Sequence, residues 1–175
     1  MKGRSRRGLI SLAGAMLGIG LFGHGAQAWN PFRGRKPSVD MPVSLATGTV
    51  TTPEFPVQRQ NYLIIIRAQK RLPFDELNCM LGLIAEQPDP KCTSEPLLQA
   101  NWTVRDNGQV VDHGLAYRRD DNGGWADESI DRILGNFGGQ AKKRYVLEVN
   151  FVNDASALNV TNPRLIVMMT KPTDF

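Results

Sequence analysis

Few residues in this 175-residue sequence could act as general acids or bases. Beyond the first 28 residues the only histidine is His113, which directly follows Asp112. Adjacent side chains on a strand point to opposite faces, so Asp112 could not orient the imidazole for proton transfer there. Without a second histidine, the usual catalytic triads and histidine-based zinc sites do not fit. The sequence therefore predicts no catalytic residue.

A group of carboxylates in the third quarter of the chain offers the oxygen ligands that Ca²⁺ prefers. Its spacing does not match the Asp-x-Asp-x-Asp-Gly loop of an EF-hand. Any acidic loop would also offer the paired carboxylates of a glycosidase. We therefore predict no metal and no cofactor, and keep a hydrolase with an acidic site only as a third hypothesis. The carboxylates are Asp120, Asp121, Asp127, Glu128 and Asp131.

The segment 118–125 combines charge and glycine with residue types that often dominate interfaces. Arg118, Arg119 and Trp125 form the candidate binding loop, because arginine and tryptophan carry much of the energy of protein interfaces. An exposed Trp125 could also stack on a sugar ring. The same residues would also occur in a solvated loop that binds nothing, with Trp125 capping the end of the core. The sequence leaves these alternatives open.

Two cysteines, Cys79 and Cys92, lie beyond the first 28 residues. An even number of cysteines in an exported protein favours one disulfide. Metal binding would need more ligands, and a catalytic thiol would need a histidine base. We predict a Cys79–Cys92 disulfide, which stabilises the fold by about 3 kcal/mol in the chain-entropy description.

Residues 1–28 have the pattern of a cleaved export signal. Basic residues precede an apolar run from Leu9 to Phe22, and a small-x-small site ends at Ala28. The apolar run is too short to remain as a membrane span. The Arg6-Arg7 pair also fits a twin-arginine signal, although the ordinary secretory route is favoured. The sequence therefore predicts a periplasmic or secreted protein.

Removal of this segment changes the charge balance. Four of the 21 basic residues and none of the 17 acidic residues lie within it, so the mature chain is formally neutral. A nucleic-acid partner would require a basic surface, and none is predicted. The mature length suits one domain with its own core, and no transmembrane segment is predicted in it.

Hydrophobic segments with strand character dominate the mature sequence. Asn61 to Lys70 contains five consecutive apolar residues, which predicts a central strand covered on both faces. The runs 144–152 and 163–169 predict further strands, and Asn107-Gly108 predicts a tight hairpin. Segment 74–86 is either a short helix or a buried strand, because periodicity fits both.

Seven or eight strands at this spacing predict an all-β fold, an antiparallel two-layer β-sandwich of immunoglobulin-like or related type that can include one short helix. We divide the chain into a signal peptide at 1–28, a flexible N-terminal segment at 29–40 and a β-sandwich domain at 41–175.

The C-terminal half resembles small exported bacterial β-sandwich domains of unknown function. The resemblance is carried by Ser129-Ile130-Asp131-Arg132-Ile133-Leu134, a glycine turn, the strand at 145–151 and the terminal run 163–167. It covers about a third of the chain. It implies a sandwich fold and no functional residues, because such domains have no agreed activity.

Together these patterns favour a non-enzymatic module of the cell envelope that presents loops or an edge strand to a protein partner. Immunity and assembly roles both fit this expectation. A carbohydrate or cell-wall binding module that uses Trp125 is the alternative hypothesis.

Overall fold

A computed structural model describes residues 36–83, 92, 95–119 and 123–170 of the chain. The predicted signal peptide and residues 29–35 of the predicted N-terminal segment lie outside these ranges. Within them the chain forms ten strands, one α-helix and one 3₁₀ helix. Their bounds are β1 (Val39–Pro42), β2 (Gly48–Thr51), β3 (Phe55–Val57), β4 (Asn61–Gln69), α1 (Phe74–Leu81), β5 (Ala100–Asp106), β6 (Gln109–Ala116), β7 (Gly123–Trp125), β8 (Ser129–Gly138), β9 (Lys143–Phe151), the 3₁₀ helix (Ser156–Thr161) and β10 (Arg164–Met169).

The strands form two antiparallel sheets around one main core, which confirms the predicted two-layer β-sandwich. The first sheet has the order β1-β10-β4-β8-β7, and the second has the order β2-β9-β5-β6, with β3 pairing beside β2 on β9. The described residues form ten strands, more than the seven or eight predicted. Strands β1, β2, β3 and β7 have only three or four residues each, which is too short to give a clear period.

Strand β4 lies at the centre of the first sheet, between β10 and β8, as predicted. Ile64 and Ile66 belong to the main core between the sheets. Ile65 points to the opposite face, where it packs with Ile166 and Met168 in a second apolar cluster. Both faces of this strand are buried, so its apolar residues follow one another without alternation.

The predicted helix-or-strand segment is helical over Phe74–Leu81, while its last three residues lie outside the described ranges. Asp75 and Glu76 stand in the first turn, where negative charge interacts favourably with the helix dipole. Gly82 ends the helix with a φ of 80°, a conformation that glycine adopts without strain. Among the described residues, no helix combines the length and apolar character needed to cross a bilayer.

The hairpin predicted at Asn107-Gly108 joins β5 to β6. The two residues have φ values of 49° and 80°, as a two-residue type I′ turn requires. Its register places Trp102 of β5 opposite Gly114 of β6.

Trp102 connects the two sheets through its indole ring. The ring is buried, and its Nε1 donates a hydrogen bond of 3.1 Å to the backbone oxygen of Leu134 in β8 of the opposite sheet. Gly114 and Gly135 leave the space that the indole fills, because a Cβ atom at either position would lie under 3.0 Å from it. These glycines therefore set how closely β6 and β8 approach.

Replacing Gly114 with alanine should force the indole to move and cost about 1–3 kcal/mol of unfolding free energy. Urea unfolding measures this loss. Gly138→Ala is the matched control, because a Cβ atom there meets nothing within 4 Å. Equal stability of the Gly114→Ala and Gly138→Ala variants would show that Trp102 is not held in this way.

Candidate functional site

The predicted binding loop connects β6 to β7, and its residues 120–122 lie outside the described part of the chain. Arg119 is half-buried against the disulfide. Its Nη1 donates to the backbone oxygen of Cys79 at 3.0 Å and contacts Cys92 Sγ at 2.7 Å. Arg119 therefore anchors the loop to the disulfide, and this internal role accounts for its position.

Arg118 is exposed, and its backbone oxygen accepts a hydrogen bond of 2.9 Å from Nη2 of the buried Arg132. This bond fixes the peptide at Arg118 and leaves the Arg118 side chain at the surface. Arg118 and Arg119 thus have different environments, although they are neighbours in sequence.

Trp125 lies at the end of β7 against helix α1. Its Nε1 donates to Asn78 Oδ1 at 3.3 Å, and the residue remains 42% exposed. Phe74, which is 45% exposed, lies with its ring centroid 6.4 Å from that of Trp125, and Lys70 Nζ is 5.8 Å from the Phe74 centroid. The structure therefore places Trp125 beside Phe74, a residue that the sequence did not single out.

The predicted disulfide between Cys79 and Cys92 is present, with the two Cα atoms 5.5 Å apart. It ties the C-terminal half of helix α1 to the segment that leads into β5. The backbone amide of Leu98 also donates to the oxygen of Met80 at 3.1 Å. The disulfide and this bond hold the helix, and thereby Phe74, on the end of the sandwich.

His113 lies exposed on β6, and the described residues include no group of three potential metal ligands. Asp112 does contact its neighbour, but its Oδ1 accepts from the backbone amide of His113 at 2.8 Å and not from the ring. Asp112 therefore acts on the backbone of β6 and gives the imidazole no catalytic orientation.

Asp131, one of the predicted acidic cluster, has a structural partner. Its two carboxylate oxygens accept two hydrogen bonds of 2.7 Å from Arg67 on the neighbouring strand β4. The hydrogen bond to Asp131 raises the pKa of Arg67, against the opposing effect of burial. Asp120 and Asp121 lie outside the described residues. Asp131 is therefore engaged in joining two strands of the first sheet.

The β6 edge, which we define as residues 109–117, differs from the other sheet edges. Strand β6 has eight residues and pairs only with β5 among the described strands. The other edges are β1, β2, β3 and β7, each of three or four residues, and proline occurs in β1 and β3. Short strands and proline are common ways of protecting an edge against further pairing. Strand β6 is neither short nor interrupted by proline.

Apolar side chains are unusually exposed along the β6 edge. Leu115 is 67% exposed and Val110 is 52% exposed, and Val111 and Tyr117 are also among the exposed large apolar residues. The hydroxyl of Tyr117 donates to Asn101 Oδ1 on β5, which holds the phenol ring beside the sheet. A long strand that is paired on one side only and carries exposed apolar residues is a typical site for pairing with another chain.

The backbone of β6 has hydrogen-bonding groups directed away from β5. The amide of His113 bonds to the Asp112 side chain and therefore does not serve the ladder with β5. Because ladder residues alternate in an antiparallel pair, Leu115 has the same outward orientation, while Gly114 between them bonds to β5. His113 and Leu115 thus present amide and carbonyl groups at the edge.

The predicted module presents loops or an edge strand to its partner, and the residues predicted for the site, Arg118, Arg119 and Trp125, all lie outside β6. The absence of proline from residues 109–116, together with the apolar Val110, Val111 and Leu115, is the sequence signal that could have pointed to this strand. Its position at a sheet edge depends on strand order, which local patterns do not reveal. Phe74 was missed because the helix containing it was not resolved from the alternative strand.

No protein-family model and no curated protein matches this chain. Among solved structures, the crystal structure of GEBA250068378 from Sulfurospirillum deleyianum is similar, with a TM-score of 0.57. The similarity covers 78% of this chain and 99% of that chain, at 11% sequence identity. At this identity the similarity concerns the fold alone, and no residue roles are transferred.

Replacing both cysteines with alanine should lower the free energy of unfolding by about 3 kcal/mol, because the open chain gains conformational entropy when unfolded. Urea unfolding of the Cys79→Ala/Cys92→Ala variant measures this loss. Adding a thiol reductant to the wild type is the control and should produce a similar loss. An unchanged unfolding midpoint in the double variant would contradict the role assigned to the disulfide.

Proposed function

We propose that this protein is a non-enzymatic module that binds an extended segment of a partner protein along the β6 edge. The observation that carries the proposal is the eight-residue β6, the longest edge strand among the described residues, which has exposed apolar side chains and no proline. Addition of a partner strand to an exposed sheet edge is a common mode of peptide recognition.

The chemistry of the edge accounts for both affinity and selectivity. The outward amide and carbonyl groups at His113 and Leu115 supply main-chain hydrogen bonds to an incoming strand. Leu115 is 67% exposed, and its side chain offers an apolar contact to every second side chain of the incoming strand. A partner segment with apolar residues at every second position fits this surface.

Asp112 controls access to one of these backbone groups. Its carboxylate accepts the hydrogen bond of the His113 amide in the isolated chain, at 2.8 Å. A carbonyl group of an incoming strand would take the place of this carboxylate. The unbound edge therefore keeps this backbone donor satisfied, which disfavours unspecific pairing.

The proposed setting is the cell envelope. A disulfide in a small domain is typical of oxidising compartments, and this supports a periplasmic or secreted location. Immunity proteins and assembly factors of the envelope both act by binding other proteins, so either role fits an edge-strand binder. The proposal assigns no reaction to the protein.

Leu115→Lys should abolish partner binding, because a charge on the edge opposes strand pairing and removes the apolar contact. The variant is immobilised and compared with the wild type for proteins retained from an envelope extract of the source cells. Val160→Lys is the matched control, since Val160 is 55% exposed on the 3₁₀ helix, away from β6.

Proteins retained by the wild type and the Val160→Lys variant, but not by the Leu115→Lys variant, are the expected partners. A retained set that is the same for all three proteins would rule out the β6 edge as the binding surface. Circular dichroism of both variants checks that each one keeps the fold.

A further inference from the structure

A cleft of about 560 Å³ opens at the end of the sandwich that carries the 3₁₀ helix. It is formed where β1 ends, β4 ends and β10 begins. Its volume lies in the range of sites for small molecules. The lining residues are Pro42, Val43, Ser44, Gln69, Asn159, Asn162, Pro163 and Arg164.

The walls of the cleft are held by hydrogen bonds across distant parts of the chain. The backbone amide of Val43 donates to the backbone oxygen of Pro163 at 3.0 Å, and that of Leu45 donates to Asn159 Oδ1 at 2.9 Å. Asn159 Nδ2 also donates to Ser44 Oγ at 3.3 Å. A ligand would therefore meet a site whose shape is largely set in advance.

Neutral hydrogen-bonding groups remain available at the mouth of the cleft. Asn162 Nδ2 donates to Gln69 Oε1 at 3.1 Å, which leaves Asn162 Oδ1 as an acceptor and both hydrogens of Gln69 Nε2 as donors. The hydroxyl hydrogen of Ser44 is a further donor. The Ser44 oxygen itself accepts from Asn159 Nδ2 and from the backbone amide of Ala46 at 3.4 Å, so this hydroxyl is available to a ligand as a donor.

The charge of the lining residues and the apolar floor of the cleft indicate which class of ligand fits. Among the described residues that line it, only Arg164 is charged, and its guanidinium is paired with Asp40 at 2.5 Å. Val43 and Pro163 are buried and form an apolar floor. A ligand that fits has hydroxyl groups around its edge, an apolar C–H face and no net charge, which is the chemistry of a neutral sugar.

We propose that this cleft binds a neutral carbohydrate unit through Gln69, Asn162 and Ser44. The site is separate from the β6 edge and does not depend on the function proposed for it. It also differs from a stacking site at Trp125, because the described residues that line the cleft include no aromatic side chain.

Maltose, cellobiose and N,N′-diacetylchitobiose serve as probes in a titration followed by ¹H–¹⁵N NMR spectra of the full mature chain. At least one of them should shift the amide signals of Ser44, Gln69 and Asn162. Gln69→Leu should weaken its binding about tenfold, the equivalent of losing one or two hydrogen bonds.

Two further variants test whether the sugar binds in the cleft itself. Asn162→Gly removes the amide while glycine keeps the positive φ of 48° at this position, and it should also weaken binding. Gln140→Leu makes the same change as Gln69→Leu at an exposed position between β8 and β9, outside the cleft, and should leave sugar affinity unchanged.

Three results would overturn the proposal. In the first, none of the sugars shifts the cleft signals at about 20 mM, a concentration that detects weak binding. In the second, a sugar binds with equal affinity to the wild type and to the Gln69→Leu and Asn162→Gly variants. In the third, the shifts centre on Trp125 and Phe74, which places the sugar on the aromatic pair.

Discussion

The placement of the Trp102 indole between Gly114 and Gly135 is the contact on which the candidate binding surface depends. It joins the strand beside β6 to β8 of the opposite sheet, through a hydrogen bond of 3.1 Å to Leu134. The same indole packs against Gly114 of the eight-residue β6, which is paired on one side only, and so adds a contact to the opposite sheet that limits bending of this strand. A rigid edge loses less conformational freedom on binding, so the packing of one buried side chain also favours recognition at the surface.

The end of the sandwich that carries α1 shows why residue type alone did not locate a site. Arginine and tryptophan are enriched both at interfaces and in internal anchoring roles. Arg119 contacts the disulfide, and Trp125 bonds to Asn78, so two of the three predicted loop residues are engaged in holding the loop to α1. The sequence shows these residues but does not show which partners they contact, and the partners decide their roles.

Features set by local sequence were predictable, whereas features set by strand order were not. The apolar run that begins at Asn61, the turn at Asn107-Gly108 and the cysteine pair each carry their signal within a short stretch. The β6 edge and the cleft depend on which strands become neighbours. Residues as distant as Ser44 and Asn159 meet in the cleft, and a single sequence gives no local sign of that meeting.

Amide-resolved hydrogen exchange of the chain with its retained partner bound tests the central claim most directly. If the partner adds a strand to β6, the outward amides of His113 and Leu115 should become strongly protected, while Gly114, already bonded to β5, should change little. Protection that falls on the loop at 118–125, with Leu115 exchanging as fast as in the free protein, would contradict the account.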